Sequence, residues 1–178
     1  MTLRLSLFSL TFFGLVSCAP GNRAPTAPVV SLSPIEALTT DDLVVSIVTE
    51  SSDSEGDNIS YKYKWLVDGL LRDDLTEKTV PAAETAKGQL WTVLVSASDG
   101  EFETTSEELS LTILNTPAVV SLEVQNTDPA STDDLVAIAT VEDADDDELD
   151  LAWSWTVDGD ATGETEDTVP ADATAKGE

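Results

Sequence analysis

The 178-residue chain has no histidine, a single cysteine, and only 8 lysines and arginines against 35 aspartates and glutamates, for a formal net charge of −27. Each shortage excludes a class of function. One cysteine cannot close a disulfide within the chain, and a Cys/His zinc site or a histidine-based triad has no residues to be built from. Without clusters of lysine and arginine there is no counterion-release term to drive nucleic-acid binding, so nucleic acid is not expected as a partner. Long helical stripes are missing too; Pro81–Gly88 has room for a short helical turn or two, ended at Gly88. What is present is a 41% hydrophobic content, enough to build packed cores. The expectation is an acidic, soluble, cofactor-poor chain of one or two small domains.

The first 17 residues have Arg4 near the start, about a dozen mostly apolar residues, then small ones, as a signal peptide does. The apolar run is too short to span a bilayer comfortably and polar sequence follows it. Leu15-Val16-Ser17-Cys18 resembles the bacterial lipobox, cut before a cysteine whose thiol then carries diacylglycerol. The resemblance implies lipidation of Cys18 and a membrane partner reached through that anchor. Each buried methylene contributes about 0.8 kcal/mol, so two or three acyl chains anchor stably where one does not. Ala19 stands where inner-membrane lipoproteins carry Asp, which implies the outer membrane as the location in the cell envelope. Residues 18–27, rich in proline, read as a stiff tether.

The mature sequence repeats itself after about 90 residues. Val29-Val-Ser-Leu32 returns as Val119-Val-Ser-Leu122, Thr40-Asp-Asp-Leu-Val44 as Thr132-Asp-Asp-Leu-Val136, and Trp65-Leu-Val-Asp-Gly69 as Trp155-Thr-Val-Asp-Gly159. Thr79-Val-Pro-Ala82 and Thr85-Ala-Lys-Gly88 recur as Thr168-Val-Pro-Ala171 and Thr174-Ala-Lys-Gly177. The period within a unit is two. Tyr61, Tyr63, Trp65 and Val67 alternate with polar residues or Leu66, as Leu151, Trp153, Trp155 and Val157 do in the second copy. Leu43, Val45 and Ile47 form another apolar face, as do Trp91, Val93, Val95 and Ala97, and Leu109, Leu111 and Ile113. Asp68-Gly69, Asp99-Gly100 and Asp158-Gly159 punctuate these runs as tight turns.

Six or seven short strands in roughly 90 residues, with a large aromatic in the third, describe an immunoglobulin-like β-sandwich. The succession Thr-Thr-Asp-Asp-Leu, Asp-x-Glu-Gly-Asp, Tyr-x-Tyr-x-Trp-x-Val-Asp-Gly, Thr-Val-Pro-Ala and Lys-Gly-x-x-Trp-Thr-Val resembles the tandem Ig-like or PKD-like repeats of large bacterial surface proteins. Asn22-Arg-Ala-Pro25 and Asn115-Thr-Pro117 resemble the junctions of such arrays. The expected fold is therefore all-β: repeat 1 over 28–116 and repeat 2 over 117–178. Glu178 corresponds to Gln89, so repeat 2 lacks counterparts of Leu90–Leu114. That leaves Trp153, Trp155 and an open sheet edge uncovered, and the chain reads as part of a longer frame.

Acidic residues are the one constellation with chemical potential. Asp53, Glu55 and Asp57 precede the third strand, and Asp143, Asp145 and Asp147 hold the same places in the second copy. Alternating acids in a loop present hard oxygens to calcium, which takes six to eight of them at about 2.3–2.6 Å. An EF-hand is excluded because no bidentate glutamate closes the loop; a solvated acidic surface is the other reading. Strand direction in an Ig-like unit brings Asp41 and Asp42 of repeat 1 toward Asp143, Asp145 and Asp147 of repeat 2, with Asn115 between. So much negative charge at one junction calls for a cation. Catalysis has no foothold, since these carboxylates sit in solvated loops rather than in a pocket. The alternating tryptophans and tyrosines read as core rather than as a sugar platform. The expected function is a lipid-anchored envelope protein acting as spacer or adhesion stalk. Two alternatives remain open: the stalk of a longer surface enzyme, and a module that binds a surface protein or glycan.

Overall fold

The computed structural model describes residues 21–173, so Cys18 and the signal segment lie outside the described residues, as do Thr174–Glu178. The first copy of the repeat forms β1 (Val29–Ser33), β2 (Leu43–Thr49), β3 (Ser60–Val67), β4 (Leu70–Leu71), β5 (Thr79–Val80), β6 (Leu90–Ser98), β7 (Glu103–Thr105) and β8 (Leu109–Thr112). One antiparallel sheet is ordered β1-β2-β5; the other runs β4-β3-β6-β7, with β8 also on β6. Neither sheet closes on itself. A single 3-10 turn, Ala82–Glu84, occupies part of the Pro81–Gly88 stretch. No helix among the described residues is long and apolar enough to cross a membrane.

The period-two pattern explains which faces meet. Trp91, Val93, Val95 and Ala97 all point inward along β6 and are fully buried. Leu43 and Val45 of β2 and Val80 of β5 reach them from the facing sheet, while Trp65 of β3 and Leu111 and Ile113 of the β8 segment complete one cluster. Trp65 and Trp91 meet edge to face, their centroids 6.1 Å apart, which suits the opposite charges of ring face and ring edge. The Trp65 indole N–H is not stranded by burial, because it donates to Glu77 O at 2.9 Å. Asp68 and Gly69 turn β3 into β4 with φ of 51° and 81°, the pair of positive values that a two-residue type I′ hairpin requires.

The second copy is half of this arrangement. It forms β9 (Val119–Val124), β10 (Leu135–Glu142), β11 (Thr156–Val157), β12 (Asp160–Ala161) and β13 (Thr168–Val169). The sheet β13-β10-β9 has the same neighbours as β5-β2-β1, and β11-β12 reproduces the β3-β4 hairpin with Asp158 and Gly159 at φ 53° and 93°. Individual hydrogen bonds repeat as well. Trp155 Nε1 donates to Glu166 O at 2.9 Å, and Ala137 N to Asp167 O as Val45 N does to Lys78 O. The strand expected through Leu151, Trp153 and Trp155 shrinks to Thr156–Val157. The cause is pairing: all eight residues of β3 face β6, and nothing among the described residues faces 149–155.

Candidate functional site

The two acidic loops have one backbone design. Asp143 Oδ1 accepts from the amides of Asp145 at 2.8 Å and Asp147 at 3.0 Å; Asp53 Oδ1 accepts from Glu55 at 2.8 Å and Asp57 at 3.1 Å. An aspartate that bonds its own backbone two and four residues on is what folds each loop back on itself. Gly56 takes φ 86° at the bend, and Asp146 holds the same place at φ 55°. In each loop the other oxygen of the leading aspartate, Oδ2 of Asp53 and of Asp143, is shielded from solvent and has no hydrogen-bond partner.

Only the second loop gathers three ligand-capable carboxylates. Asp143, Asp145 and Asp147 each offer an oxygen within 4.8 Å of the others, a group that can hold a metal ion. Glu55 has a different engagement, since its Oε2 accepts from Ser54 Oγ at 2.7 Å and from Arg23 N at 3.3 Å. Asp41 and Asp42 do not join the cluster. Asp41 Oδ2 accepts from Leu38 N at 2.9 Å and Asp42 Oδ1 from Ala82 N at 2.7 Å. Their counterparts do the same work in the second copy: Asp133 Oδ2 takes Ala130 N at 3.0 Å, and Asp134 Oδ1 takes Ala171 N at 2.8 Å. In each copy the Thr-Asp-Asp motif thus ties down backbone amides of its own unit. Asn115 donates its amide to Thr116 O at 3.1 Å.

What touches the acidic loop from the first copy is Thr116 and Lys87. Thr116 N donates to Asp145 Oδ2 at 2.7 Å while its hydroxyl lies 2.7 Å from that of Thr39. Lys87, in the turn before β6, pairs with Asp147. Thr39, Thr40, Ala82, Lys87, Asp145 and Asp146 are among the residues around the resulting open cleft of about 720 Å³. The repulsion expected between gathered carboxylates is thus met in part by a cation the chain supplies itself. The amides of Asp147 and Asp145, with a smaller share from Lys87, hold the Asp143 carboxyl below the usual carboxylate range. The hydrogen bond that Lys87 donates to Asp147, aided by the charges of all three aspartates, holds its ammonium above the usual value. Lys87 was visible in the sequence only as part of the recurring Thr-Ala-Lys-Gly block.

The segment before the first copy is placed like the junction. Arg23 N donates to Glu55 Oε2 as Thr116 N does to Asp145, and Asn22 Nδ2 reaches Asp99 and Glu101 at 3.2 Å each. Thr26 N bonds Ser52 O, and Pro25 and Pro28 are buried. From Asn22 onward the expected tether is therefore laid against the first copy. No family model, curated protein or solved structure matches the chain.

Proposed function

We propose that the chain is a lipid-anchored protein of the bacterial cell envelope, held at Cys18, whose Ig-like units serve as a spacer or adhesion stalk. The observation that carries this reading is the junction. Thr116 bonds both Thr39 of one copy and Asp145 of the next, and Lys87 pairs with Asp147 across the same gap. A spacer needs its units fixed end to end, and polar contacts on a short connector do that without a large apolar interface. The repetition of the contact at Arg23 and Glu55 fits a chain whose connectors are all of one design.

Calcium is the cation proposed for Asp143, Asp145 and Asp147. Three carboxylates fall short of the six to eight oxygens it takes, so water completes the shell and affinity belongs near 0.1–1 mM, as in extracellular modules. Lys87 competes for the same charge and must release Asp147 for that carboxylate to turn fully to the ion. Mass spectrometry of the protein from a bacterial membrane should find acylated Cys18, and Cys18→Ser should move the protein to the soluble fraction. Calorimetry with calcium should show binding that Lys87→Met tightens and Asp143→Asn abolishes. An unmodified, soluble wild type removes the anchor; no heat at millimolar calcium leaves the loop as a charged clasp without a metal.

A further inference from the structure

The outward face of the first copy's larger sheet is not repeated. On β3 and β4 it presents Lys62, Lys64, Leu66 and Leu71, where the second copy has Ala152, Ser154, Thr156 and Ala161. The inward positions stay apolar or aromatic in both copies, so the fold alone does not call for these lysines and leucines. The leucines gather in one patch. Leu66 lies opposite Leu71 and Thr92, and diagonally from Leu90 and Leu94. Leu71 and Leu90 are 48% and 44% exposed, while Thr92 points outward between the leucines and is only 7% exposed. Lys62 and Lys64 flank the patch along β3, and the hydroxyls of Thr105, Ser110 and Thr112 border its other side. Glu103 is the one acidic residue among the outward strand positions of this sheet, and Lys62 pairs with it at 3.7 Å.

An apolar centre with a polar rim is the anatomy of a protein interface. Lysines outnumber acids on this face of a chain of net charge −27, so a second copy meets less repulsion here than over the acidic loops. We infer that two copies of this chain associate side by side through this face, about a two-fold axis running along the strands. That axis carries the β3 side of one chain over the β7–β8 side of the other. Lys62 and Lys64 then lie toward Glu103 and the hydroxyls of the second copy rather than toward its lysines, and their stems cover apolar surface. The strands run between the two ends of the unit, Ser60 following the acidic loop and Leu90 following Lys87, so the contact leaves the junction free. At about 4.8 Å per strand and 3.3 Å per residue, four strand widths by the eight residues of β3 present about 500 Å², and two such faces bury about 1,000 Å². That is the low end for a specific interface, so the pairing is weak and reversible.

Sedimentation equilibrium of the purified chain tests this. The expected result is a monomer–dimer equilibrium that tightens as sodium chloride is raised, because salt screens the repulsion between two acidic chains more than it weakens a contact with few charges. Leu94→Asp and Lys64→Glu should each raise the dissociation constant about tenfold or more by placing an acid in the contact, and Lys64→Arg should not. Val48→Asp, at a 65% exposed position on the outward face of the other sheet, should leave the equilibrium unchanged. Circular dichroism should find all four variants folded, since these side chains point away from the core. In mixtures of isotopically light and heavy chain, a carbodiimide should join Lys62 or Lys64 of one copy to Glu103 of the other. A monomer at every concentration overturns the inference. So does association that Leu94→Asp and Lys64→Glu leave intact, that Val48→Asp abolishes, or that weakens as salt rises, as pairing of these lysines with the acidic loops of another copy would.

Discussion

The two copies share their turns, their Thr-Asp-Asp bonds and half their strands, yet among the described residues one has a closed core and the other does not. Val80 and its counterpart Val169 are both buried, at 0% and 3% exposure. Leu43 is fully buried, whereas Leu135 is only partly so, and β9 is exposed along its whole length where β1 is half covered. Among the described residues of the second copy, local hydrogen bonding is thus in place without strands facing 149–155, while side-chain burial is not. The comparison separates what a loop or hairpin encodes by itself from what only a sheet across the core supplies.

Separating the copies should have the largest effect. A fragment spanning 28–116 should unfold in one cooperative denaturant transition, and one spanning 117–178 should show none. Counterparts of Trp91, Val93, Val95, Leu111 and Ile113 are missing from the latter. At about 1.5–3 kcal/mol for each buried apolar side chain, that loss matches or exceeds the usual margin of about 5–15 kcal/mol. A cooperative transition in the second fragment would mean that sheet and hairpin alone make a core.

Next in size is a matched pair of substitutions. Trp65→Ala removes a fully buried ring from the contact with Trp91 and should cost about 3–5 kcal/mol by urea titration. Trp155→Ala at the equivalent position should cost a fraction of that, since its ring is partly exposed. Arg72 widens the difference. Its guanidinium lies 5.9 Å from the Trp91 ring centroid and pairs with Asp74 and Glu84 at 2.7 Å, whereas Thr162, in its place, donates to Trp155 O and accepts from Glu164 N. Equal costs at the two tryptophans would show that the second copy has a core of its own.

Much of the first copy was legible because its rules are local or periodic. Asp-Gly gave the hairpin, strict alternation gave the inward faces of β3 and β6, and Asp53 and Asp143 stood at equivalent places in the repeat. The same alternation misled at Leu151–Trp155, because periodicity states which side of a strand is apolar and not whether a partner exists to make it a strand. Asp41 and Asp42 were legible as a repeated motif, whereas their bonds to the Leu38 and Ala82 amides were not, since a carboxylate serves a backbone amide as readily as a metal. Lys87 meets Asp147 only through the way one copy sits against the next, a relation between residues 60 apart that no local pattern carries.

A smaller contrast lies in the bends of the acidic loops. Gly56 has φ 86° and open space where a Cβ would lie, so Gly56→Ala is opposed by backbone strain alone. The left-handed conformation costs about 1–2 kcal/mol for an ordinary residue, offset in part by the reduced freedom of the unfolded chain, for a net loss of about 1 kcal/mol. Asp146→Gly should change stability by only a few tenths of a kcal/mol, because aspartate tolerates φ 55° and glycine adds unfolded-state entropy. Chemical denaturation of the first copy reads one; loop hydrogen exchange reads the other.

The smallest effect concerns the junction's charges, all exposed enough for salt to screen. Asp143 has a depressed carboxyl, so its contribution is fully present above the ordinary aspartate value near 3.9 and is lost as pH falls through its lower folded value. Lys87 has a raised ammonium, so its contribution is fully present below the ordinary lysine value near 10.4 and is lost as pH rises through its folded value. Between these limits Asp143 and Lys87 keep their charges, and their part in calcium binding should be independent of pH from about 5 to 9. Carboxyl NMR titration separates the causes. The amides of Asp147 and Asp145 are fixed by the loop, whereas Lys87 reaches it from the other copy. Lys87→Met should therefore raise the Asp143 titration only slightly, and added salt should reproduce that small rise. If Lys87→Met instead returned Asp143 to the ordinary value, the field of the neighbouring copy, rather than the turn of its own loop, would set the state of this carboxylate.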